Sequence, residues 1–350
     1  MTWSPCLVRS AGPSGEARYA LGHRLVDRYL AFVAGRARPN TVRAAAFDLK
    51  AFFSVVGKDP VEVTSADVLD FVAAQRGDRT VVRLADGESR LSPRTIARRL
   101  ASVSGFYAYV VARGDTPLSV NPVPRGLATR RRGGSKRAQT VPLVRVPKTL
   151  PKVLTPGEVT ALFGALRRAR DRAMVEAMVL GGLRRCEVLG LTFADLQVAE
   201  RRVFIAEGKG GHQRVVPISG RFFASVGDYL DLERPEEAGT DRVFVVLKGP
   251  RRGQPLTAEG LDEILDGARR RARLERGTCH ELRHTCLTRL REAGMALEAI
   301  QAQAGHRSIE STRVYLHLTN DWLAGEYQRA AGRIDDAAVA ELVAAQEVAR

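Results

Sequence analysis

The sequence predicts a mainly α-helical protein with two domains, the second of which mixes helices with a small β-hairpin sheet. The chain has 350 residues, enough to bury two cores. Apolar residues recur at helical spacing along most of its length. Segments with the alternation typical of strands are few and short. These three observations favour a helical first domain and an α+β second domain.

The first domain is predicted to span residues 17–120. Its helices are placed at residues 17–35, 41–56, 65–75 and 93–112. The last is the clearest, because Ser92 suits the N-cap, Pro93 stands at the first helical position and apolar residues from Ile96 onward form one stripe. Residues 1–16 match no pattern, and we expect them to be a disordered extension. Residues 79–91 form an insertion typical of a hairpin or a long loop.

The second domain is predicted at residues 149–332, and a C-terminal tail helix at residues 333–350. A capping box begins the domain, with Thr155 at the N-cap, Pro156 at the first helical position and Glu158 three residues after the cap. Two strands are expected at 203–206 and 214–218, joined by a glycine-rich turn that contains Lys209. Helices are predicted for most of the remainder.

The net charge of +16 favours a polyanionic partner, with nucleic acid first and an anionic membrane surface second. Half of this excess lies in residues 121–148, which hold eight basic and no acidic side chains. Because this segment is rich in proline and has no periodic apolar pattern, we predict an extended basic linker between the domains. A solvated loop is the alternative. The cluster that we expect to contact nucleic-acid phosphates consists of Arg130, Arg131, Arg132, Lys136 and Arg137.

Three arginines of the helix at 93–112 extend this prediction to the first domain. Arg94, Arg98 and Arg99 lie off the apolar stripe of that helix. A helix face that bears arginines suits contact with phosphates. For each of the three, a solvated polar face is the alternative.

Nothing in the sequence indicates export or a membrane span. The apolar run at 173–183 carries Glu176 and is too short to cross a bilayer. The first 18 residues lack the basic start and the apolar stretch of a signal peptide. The four cysteines form no paired motif, which favours a reducing compartment. We therefore expect a cytoplasmic, nucleoid-associated protein without a membrane partner.

Four segments, far apart in the chain, each present residues suited to a phosphodiester. They are Gly-Leu-Arg-x-x-Glu at 182–187, the turn with Lys209, His-Glu-Leu-Arg-His at 280–284, and Gly-His at 305–306 followed by Tyr315. Each segment is common by itself, but the ordered combination is highly specific. The set resembles the tyrosine recombinases, the family of lambda-integrase and Xer-type site-specific DNA recombinases. The resemblance covers about residues 17–330.

The resemblance implies a SAM-like core-binding domain followed by the recombinase catalytic domain. It also implies an enzyme that cleaves and rejoins DNA through a 3′-phosphotyrosyl intermediate, without cofactor, metal or ATP. Tyr315 is then the nucleophile, and Glu187 and His284 are supporting residues. The other implied catalytic residues are Arg184 and Arg283 on the phosphoryl oxygens, Lys209 as acid for the leaving 5′ hydroxyl, His280 in proton transfer with Tyr315, and His306 as a donor to a non-bridging oxygen.

The implied partner is double-stranded DNA with specific target sites. We expect a monomer or dimer in solution and a homotetramer on synapsed DNA. Residues 333–350 are expected either to dock on a neighbouring protomer or to pack against their own domain. Accessory DNA-bending proteins or a partner recombinase are further expected partners. Integration, excision, resolution and transposition all stay open as the biological outcome.

Two alternatives stand beside this interpretation. Residues 280–284 form a literal His-Glu-x-x-His, in which two histidines one helical turn apart bind zinc in metalloproteases. Arg283 argues against a zinc site, because it shares a helical face with both histidines and would place a cation beside the metal. The second alternative is a DNA-binding protein that has the same fold without the reaction. The complete residue set argues against it.

Overall fold

The computed structural model describes residues 3–12, 16–77, 91–128, 140–147, 151–206, 213–306 and 312. Several predicted features lie outside these residues: most of the insertion at 79–91, the basic cluster at 130–137, the turn with Lys209, Tyr315, and the tail after residue 332. By its internal contacts the chain divides into two compact units, Met1–Lys148 and Thr149–Arg350.

The described part of the first unit combines helices with two short antiparallel strand pairs. The elements are β1 (Val8–Ala11), β2 (Ala17–Ala20), α1 (Arg24–Ala34), α2 (Pro39–Val56), α3 (Ser65–Gly77), α4 (Pro93–Arg113), β3 (Leu127–Ala128) and β4 (Thr140–Val141). The side chain of Ser92 caps α4 by accepting from the backbone N–H of Thr95. The apolar stripe predicted for α4 is buried from Ile96 to Val110, which confirms that part of the prediction.

Aromatic side chains fill the core of the first unit. Phe52 packs edge to face against Phe53 and Phe71, and Phe106 contacts Phe53 in the same way. All four rings are fully buried. The hydroxyl of Tyr107 donates to the backbone carbonyl of Pro60 at 3.1 Å, so its one polar atom is satisfied inside the core. These aromatic rings pack together with aliphatic side chains in one buried cluster of the described residues.

The segment before α1 differs from the prediction. Residues 17–20, expected in the first helix, form β2, which pairs antiparallel with β1. Helix α1 begins only at Arg24, after the N-cap His23. Trp3 packs against His23 and Phe53, which ties the described residues of the expected disordered extension to the first unit. Because β1 is exposed along its whole length, no alternation of apolar residues signals it.

The segment predicted as an extended linker is tied to the first unit near both of its ends. Strands β3 and β4 pair antiparallel on either side of the basic cluster. Val123, before β3, and Val144, after β4, are both buried in the core of the first unit. Neither valine belongs to an apolar pattern long enough to indicate a helix or a strand, so periodicity could not reveal their burial.

The second unit is helical around one small sheet. Its elements are α5 (Pro156–Ala165), α6 (Ala169–Val179), α7 (Arg185–Gly190), β5 (Leu196–Gln197), β6 (Arg202–Ile205), β7 (Arg214–Pro217), α8 (Gly220–Leu232), α9 (Ala258–Ala272), α10 (Cys279–Glu292) and α11 (Leu297–Ala304). The sheet is antiparallel with the order β5-β6-β7. The two predicted strands are confirmed to within one residue, and so is the mainly helical fold class.

Helix α6 lies at the centre of the second unit. Every side chain from Ala173 to Val179 is buried, and α8 and α10 both pack against it. The turn that follows α6 therefore starts from a fixed position. None of the helices that the structure describes is both long and apolar enough to cross a bilayer.

Candidate active site

Arg184 is held at the start of α7 by the sharp turn that follows α6. Gly182 in this turn has a φ of 67°, a conformation that favours glycine. A Cβ at this position would also lie 3.3 Å from a side-chain carbon of Leu287. Leu183 is fully buried, whereas the side chain of Arg184 stays 19% exposed. The turn thus explains the Gly-Leu-Arg part of the motif.

Glu187 is the buried partner of Arg184, at the spacing that the sequence predicts. Its Oε1 accepts from Nη1 of Arg184 at 2.7 Å, and its Oε2 accepts from the backbone N–H of Arg184 at 2.9 Å. Burial opposes ionisation, but the hydrogen bonds and charges of Arg214 and Arg184 lower the pKa of Glu187 to about 2. The carboxylate is therefore ionised at neutral pH.

Arg214 binds the same carboxylate, and sequence reasoning misses it. Its Nη1 and Nη2 donate to Oε1 and Oε2 of Glu187 at 2.9 and 2.8 Å, which is a bidentate ion pair. Its Nε donates to the backbone carbonyl of Gln303 at 3.2 Å. Arg214 begins β7 shortly after the glycine-rich segment that contains Lys209, where an arginine is ordinarily a surface residue. No signal in the single sequence marks it.

Arg283 connects three parts of the site from α10. Only 4% of this residue is exposed. Its Nη1 donates to the carbonyl of Gly182, and its Nη2 donates to the carbonyl of Ala304 at 2.7 Å and to Nε2 of His306 at 3.2 Å. One guanidinium therefore joins α10 to the turn after α6 and to the end of α11.

The Gly-His motif follows α11 directly. Gly305 has a φ of 61°, and its carbonyl accepts from Nη2 of Arg184 at 3.1 Å. Because an arginine can only donate, Nε2 of His306 accepts from Arg283, and Nδ1 faces Oγ1 of Thr312 at 3.0 Å. Burial and the positive charges of Arg283 and Arg184 lower the pKa of His306 to about 4. The ring is therefore neutral at pH 7.

His280 and His284 form a pair one turn apart on α10. Their Nε2 atoms are 2.7 Å apart, so one ring donates and the other accepts. Burial, followed by the charges of His280 and Arg283, lowers the pKa of His284 to about 4. At neutral pH His284 is thus uncharged, and its contact couples the tautomer of His280 to its own.

The zinc-site alternative for residues 280–284 is not favoured. Glu281, which would have to activate water, is occupied in a capping box at the start of α10. Its Oε2 accepts from the backbone N–H groups of Gly277 and Thr278 at 2.9 and 3.0 Å. Among the residues that the structure describes, no three His, Cys, Asp or Glu side chains are grouped as metal ligands. Helix capping thus explains this glutamate.

One cluster therefore unites predicted residues from three of the four segments. Arg184 contacts Glu187, and Arg283 contacts His306. The fourth segment, with Lys209, and the nucleophile candidate Tyr315 lie outside the described residues. β7 is the first element after the Lys209 turn.

The predicted DNA-contact arginines of α4 differ from one another in their surroundings. Arg94 is exposed. Arg98 is half exposed and pairs with the buried Asp48 at 2.6 Å. Nη1 of Arg99 donates to Oε1 of Gln75, and its side chain is partly buried. Contact with DNA stays a prediction for all three.

Comparison with known proteins identifies related sequences. The family model described as "Phage integrase family" matches residues 152–321. The chain is 30% identical over 292 residues to tyrosine recombinase XerC of Roseiflexus sp. (strain RS-1), covering 80% of this chain and 84% of that protein. It is 32% identical over 319 residues to tyrosine recombinase XerC of Chromohalobacter salexigens, covering 88% and 95%. For tyrosine recombinase XerD of Listeria innocua the identity is 30%, covering 87% and 97%.

Solved structures show the same fold at lower identity. The integrase of transposon Tn1549, in complex with transposon right end DNA, matches with a TM-score of 0.64 and 18% identity, covering 88% of this chain and 98% of that chain. The XerH recombinase bound to a palindromic difH substrate matches with a TM-score of 0.63 and 18% identity, covering 86% and 83%. The predicted recombinase fold is thereby confirmed.

Proposed function

Since the chain belongs to the tyrosine recombinases, enzymes that cleave and rejoin DNA at specific sites, we propose that Tyr315 forms a 3′-phosphotyrosyl intermediate with the cleaved strand. The Tyr315 oxygen attacks the scissile phosphorus, and the bond from phosphorus to the 5′ oxygen breaks. Attack by a 5′ hydroxyl on the phosphotyrosine then reverses the step and joins the strands. Because the intermediate is a phosphodiester, rejoining needs neither ATP nor another energy source.

Arg184 and Arg283 are the proposed ligands of the two non-bridging oxygens. The planar guanidinium group matches a phosphate with two parallel donors, and it stays charged at any physiological pH. The observation that carries the proposal is the fixed position of both groups. Arg184 contacts Glu187 and the Gly305 carbonyl, whereas Arg283 contacts Gly182 and the end of α11. Donors held in place before the substrate arrives need no reorganisation in the transition state.

The proton transfers are assigned to groups around these arginines. Lys209 gives a proton to the leaving 5′ oxygen, and His280 accepts the proton of Tyr315. His284 supports this step because its contact couples the tautomer of its own ring to that of His280. His306 is assigned to donate to a non-bridging oxygen. Because its Nε2 accepts from Arg283 in the structure, this role requires Nε2 to gain a proton and to exchange Arg283 for the phosphate. The negative phosphate favours such protonation, because it offsets the repulsion from Arg283.

Binding of the duplex is assigned mainly to the first unit. Arg94, Arg98 and Arg99 on α4 and the basic cluster at 130–137 would contact the phosphates of the target site. These positive charges give affinity that is independent of base sequence and sensitive to salt. Base recognition requires other side chains that reach the groove edges. The proposal therefore separates a binding region from a reaction centre.

Exchange between two duplexes needs more than one active site. We assign the chain a tetramer on synapsed DNA, with the tail at 333–350 docked on a neighbouring protomer. Truncation after Gly332 should then prevent assembly on DNA while leaving cleavage of a single site in place. Accessory proteins, a partner recombinase and a nucleoid location belong to the same proposal.

A covalent-capture experiment tests the reaction. Random-sequence duplexes are incubated with the purified chain in EDTA and without ATP, and DNA attached to denatured protein is recovered and sequenced. We expect a defined site with attachment at the 3′ phosphate. Tyr315→Phe should abolish capture, and Tyr19→Phe, in β2 of the first unit, is the matched control. Capture by the Tyr315→Phe variant would mean that another residue is the nucleophile.

A further inference from the structure

Arg214 joins three parts of the active site. It lies at the start of β7, its guanidinium binds both carboxylate oxygens of Glu187, and its Nε donates to the carbonyl of Gln303 near the end of α11. The side chain of Arg214 is only 12% exposed. Gln303 continues the connection, since its side-chain amide donates to the carbonyls of Gly181 and Pro217 at 2.9 and 3.1 Å. Arg214 therefore sits where the sheet, α7 and α11 meet.

The charge of the cluster depends on Arg214. Glu187 is fully buried, and its carboxylate contacts Arg184 directly. With these two groups alone the pair would be neutral, and its attraction for an incoming phosphate would be small. Arg214 adds a second positive charge on the same carboxylate. The three groups together carry a formal charge of +1, which leaves the positive charge of Arg184 uncancelled.

Close packing fixes this arrangement. A Cβ at position 305 would lie 3.0 Å from Nη1 of Arg214, so a larger residue there would crowd the guanidinium. The carbonyl of the same Gly305 accepts from Nη2 of Arg184. The backbone of the Gly-His motif thus contacts both arginines that share Glu187. A change at Arg214 is transmitted to Arg184 through the carboxylate and through this backbone.

We propose that Arg214 is a positioning residue for recombination, which balances the charge of Glu187 and so keeps Arg184 available to the scissile phosphate. The inference rests on the phosphate-binding role proposed above for Arg184. Among the described residues, Arg214 donates to Glu187 and to the carbonyl of Gln303, neither of which is assigned a proton transfer. Replacing Arg214 should therefore reduce the rate of attachment more when the scissile phosphate carries its full negative charge. Replacing a residue with a merely structural role would not show this dependence on charge.

The test uses the full-length chain, two variants of Arg214 and one control. Arg214→Met removes the charge, and Arg214→Lys retains it without the bidentate geometry. The lysine variant also keeps the test informative if the methionine variant fails to fold. Arg202→Met is the control, because Arg202 is an exposed arginine on the neighbouring strand β6. Circular dichroism and thermal unfolding confirm that each chain is folded.

Each chain is given three versions of the duplex recovered by covalent capture. One has the natural phosphodiester at the scissile position. The second has a methylphosphonate there, which lacks one negative charge. The third has a bridging 5′ sulfur, whose leaving thiolate needs no proton. Single-turnover rates of attachment are measured at saturating protein.

We expect Arg214→Met to attach the phosphodiester on the order of 100-fold more slowly than the unaltered chain. On the methylphosphonate the loss should shrink to less than about tenfold, because less positive charge is needed. The bridging sulfur should not restore the rate of Arg214→Met, because the substitution leaves the leaving-group acid in place. The rate of Arg214→Lys should lie between those of Arg214→Met and the unaltered chain. The rate of Arg202→Met should stay within about twofold of that of the unaltered chain on all three duplexes.

Three results would overturn the role of Arg214. The first is an equal loss of rate for Arg214→Met on the phosphodiester and on the methylphosphonate. The second is full restoration of its rate by the bridging sulfur, which would mean that Arg214 assists the leaving-group acid. The third is a rate of Arg214→Met on the phosphodiester equal to that of Arg202→Met. Failure of the unaltered chain to attach at all would instead refute the proposed reaction. The two failures are thus distinguishable within one experiment.

Discussion

In the first unit Arg98 lies half exposed on α4 and pairs with Asp48, whereas in the second unit Arg283 is buried and donates to two backbone carbonyls and a histidine. The charge follows the same division. Residues 1–148 hold 25 basic and 11 acidic side chains, and residues 149–350 hold 30 and 28. The first unit is rich in positive charge, and the second is nearly neutral with a few arginines in fixed positions.

Under the proposed function, this difference separates DNA binding from the chemistry within one chain. Surface arginines strengthen binding in proportion to their number, and salt weakens them. Buried arginines with several partners are fewer, but their direction is set before the substrate arrives. Substitutions in the two regions should therefore change different measurements.

Arg283→Lys should reduce the rate of covalent attachment by about 10²- to 10³-fold, because a lysine cannot satisfy the carbonyls of Gly182 and Ala304 and also bind the phosphate. Affinity for the duplex should change less than about threefold. Single-turnover attachment and an equilibrium binding titration measure the two quantities. A loss of affinity with an unchanged rate would contradict the assignment of Arg283 to the reaction centre.

Neutralising the basic cluster should have the reverse effect. With Arg130, Arg131, Arg132, Lys136 and Arg137 changed to glutamine, affinity at about 0.15 M salt should fall on the order of 100-fold. The slope of log affinity against log salt should decrease by roughly 4 to 5. Attachment at saturating DNA should keep its rate. An unchanged salt slope would mean that these five charges are only solvated.

The pH dependence of the free energy of unfolding should report the protonation state of His306 in the second unit. The pKa of His306 is about 4 in the folded chain and 6.5 for a free histidine. Between these values the unfolded chain binds a proton that the folded chain does not, so stability falls as the pH decreases through this window. From pH 7 to pH 5 we expect a loss of about 2 kcal/mol from this residue.

His306→Gln should remove this part of the pH dependence of stability. His284→Gln should remove a similar part, because the pKa of the His284 side chain is lowered in the same way. Urea unfolding followed by circular dichroism at the two pH values measures it. If the His306→Gln chain loses as much stability as the unaltered chain, the ring is not held neutral by burial and Arg283.

The arginines of α4 should separate into two types. Arg94→Gln should weaken DNA binding only a few-fold and lower the salt slope by about one, without changing stability. Arg98→Gln should in addition cost roughly 1 kcal/mol of stability, because the buried Asp48 loses an ion pair. Binding titrations across salt and urea unfolding distinguish these outcomes. Equal stability for both variants would show that the pair of Arg98 and Asp48 is unimportant for folding.

The motif residues could be predicted from sequence because each stands in a local pattern. Gly182 and Gly305 mark turns with positive φ. Arg184 comes two positions after the first, and His306 directly follows the second. Helix signals such as Ser92 and Pro93 likewise depend only on near neighbours. The confirmed family resemblance added the order in which these patterns occur.

Other features depend on contacts between distant segments and could not be predicted. Arg214 and Glu187 are 27 positions apart, and nothing near Arg214 in the chain indicates a buried carboxylate. Val144 is buried by the first unit although it stands in a charged, proline-rich segment. The exposed strand β1 is defined by its pairing with β2 and not by an apolar pattern.

The identity of the residue that carries the DNA tests the central claim most directly. The captured adduct is digested with protease and nuclease, and the nucleotide-bearing peptide is sequenced by mass spectrometry. We expect a nucleotide joined through its 3′ phosphate to the oxygen of Tyr315. Attachment to any other residue, or through a 5′ phosphate, would contradict it.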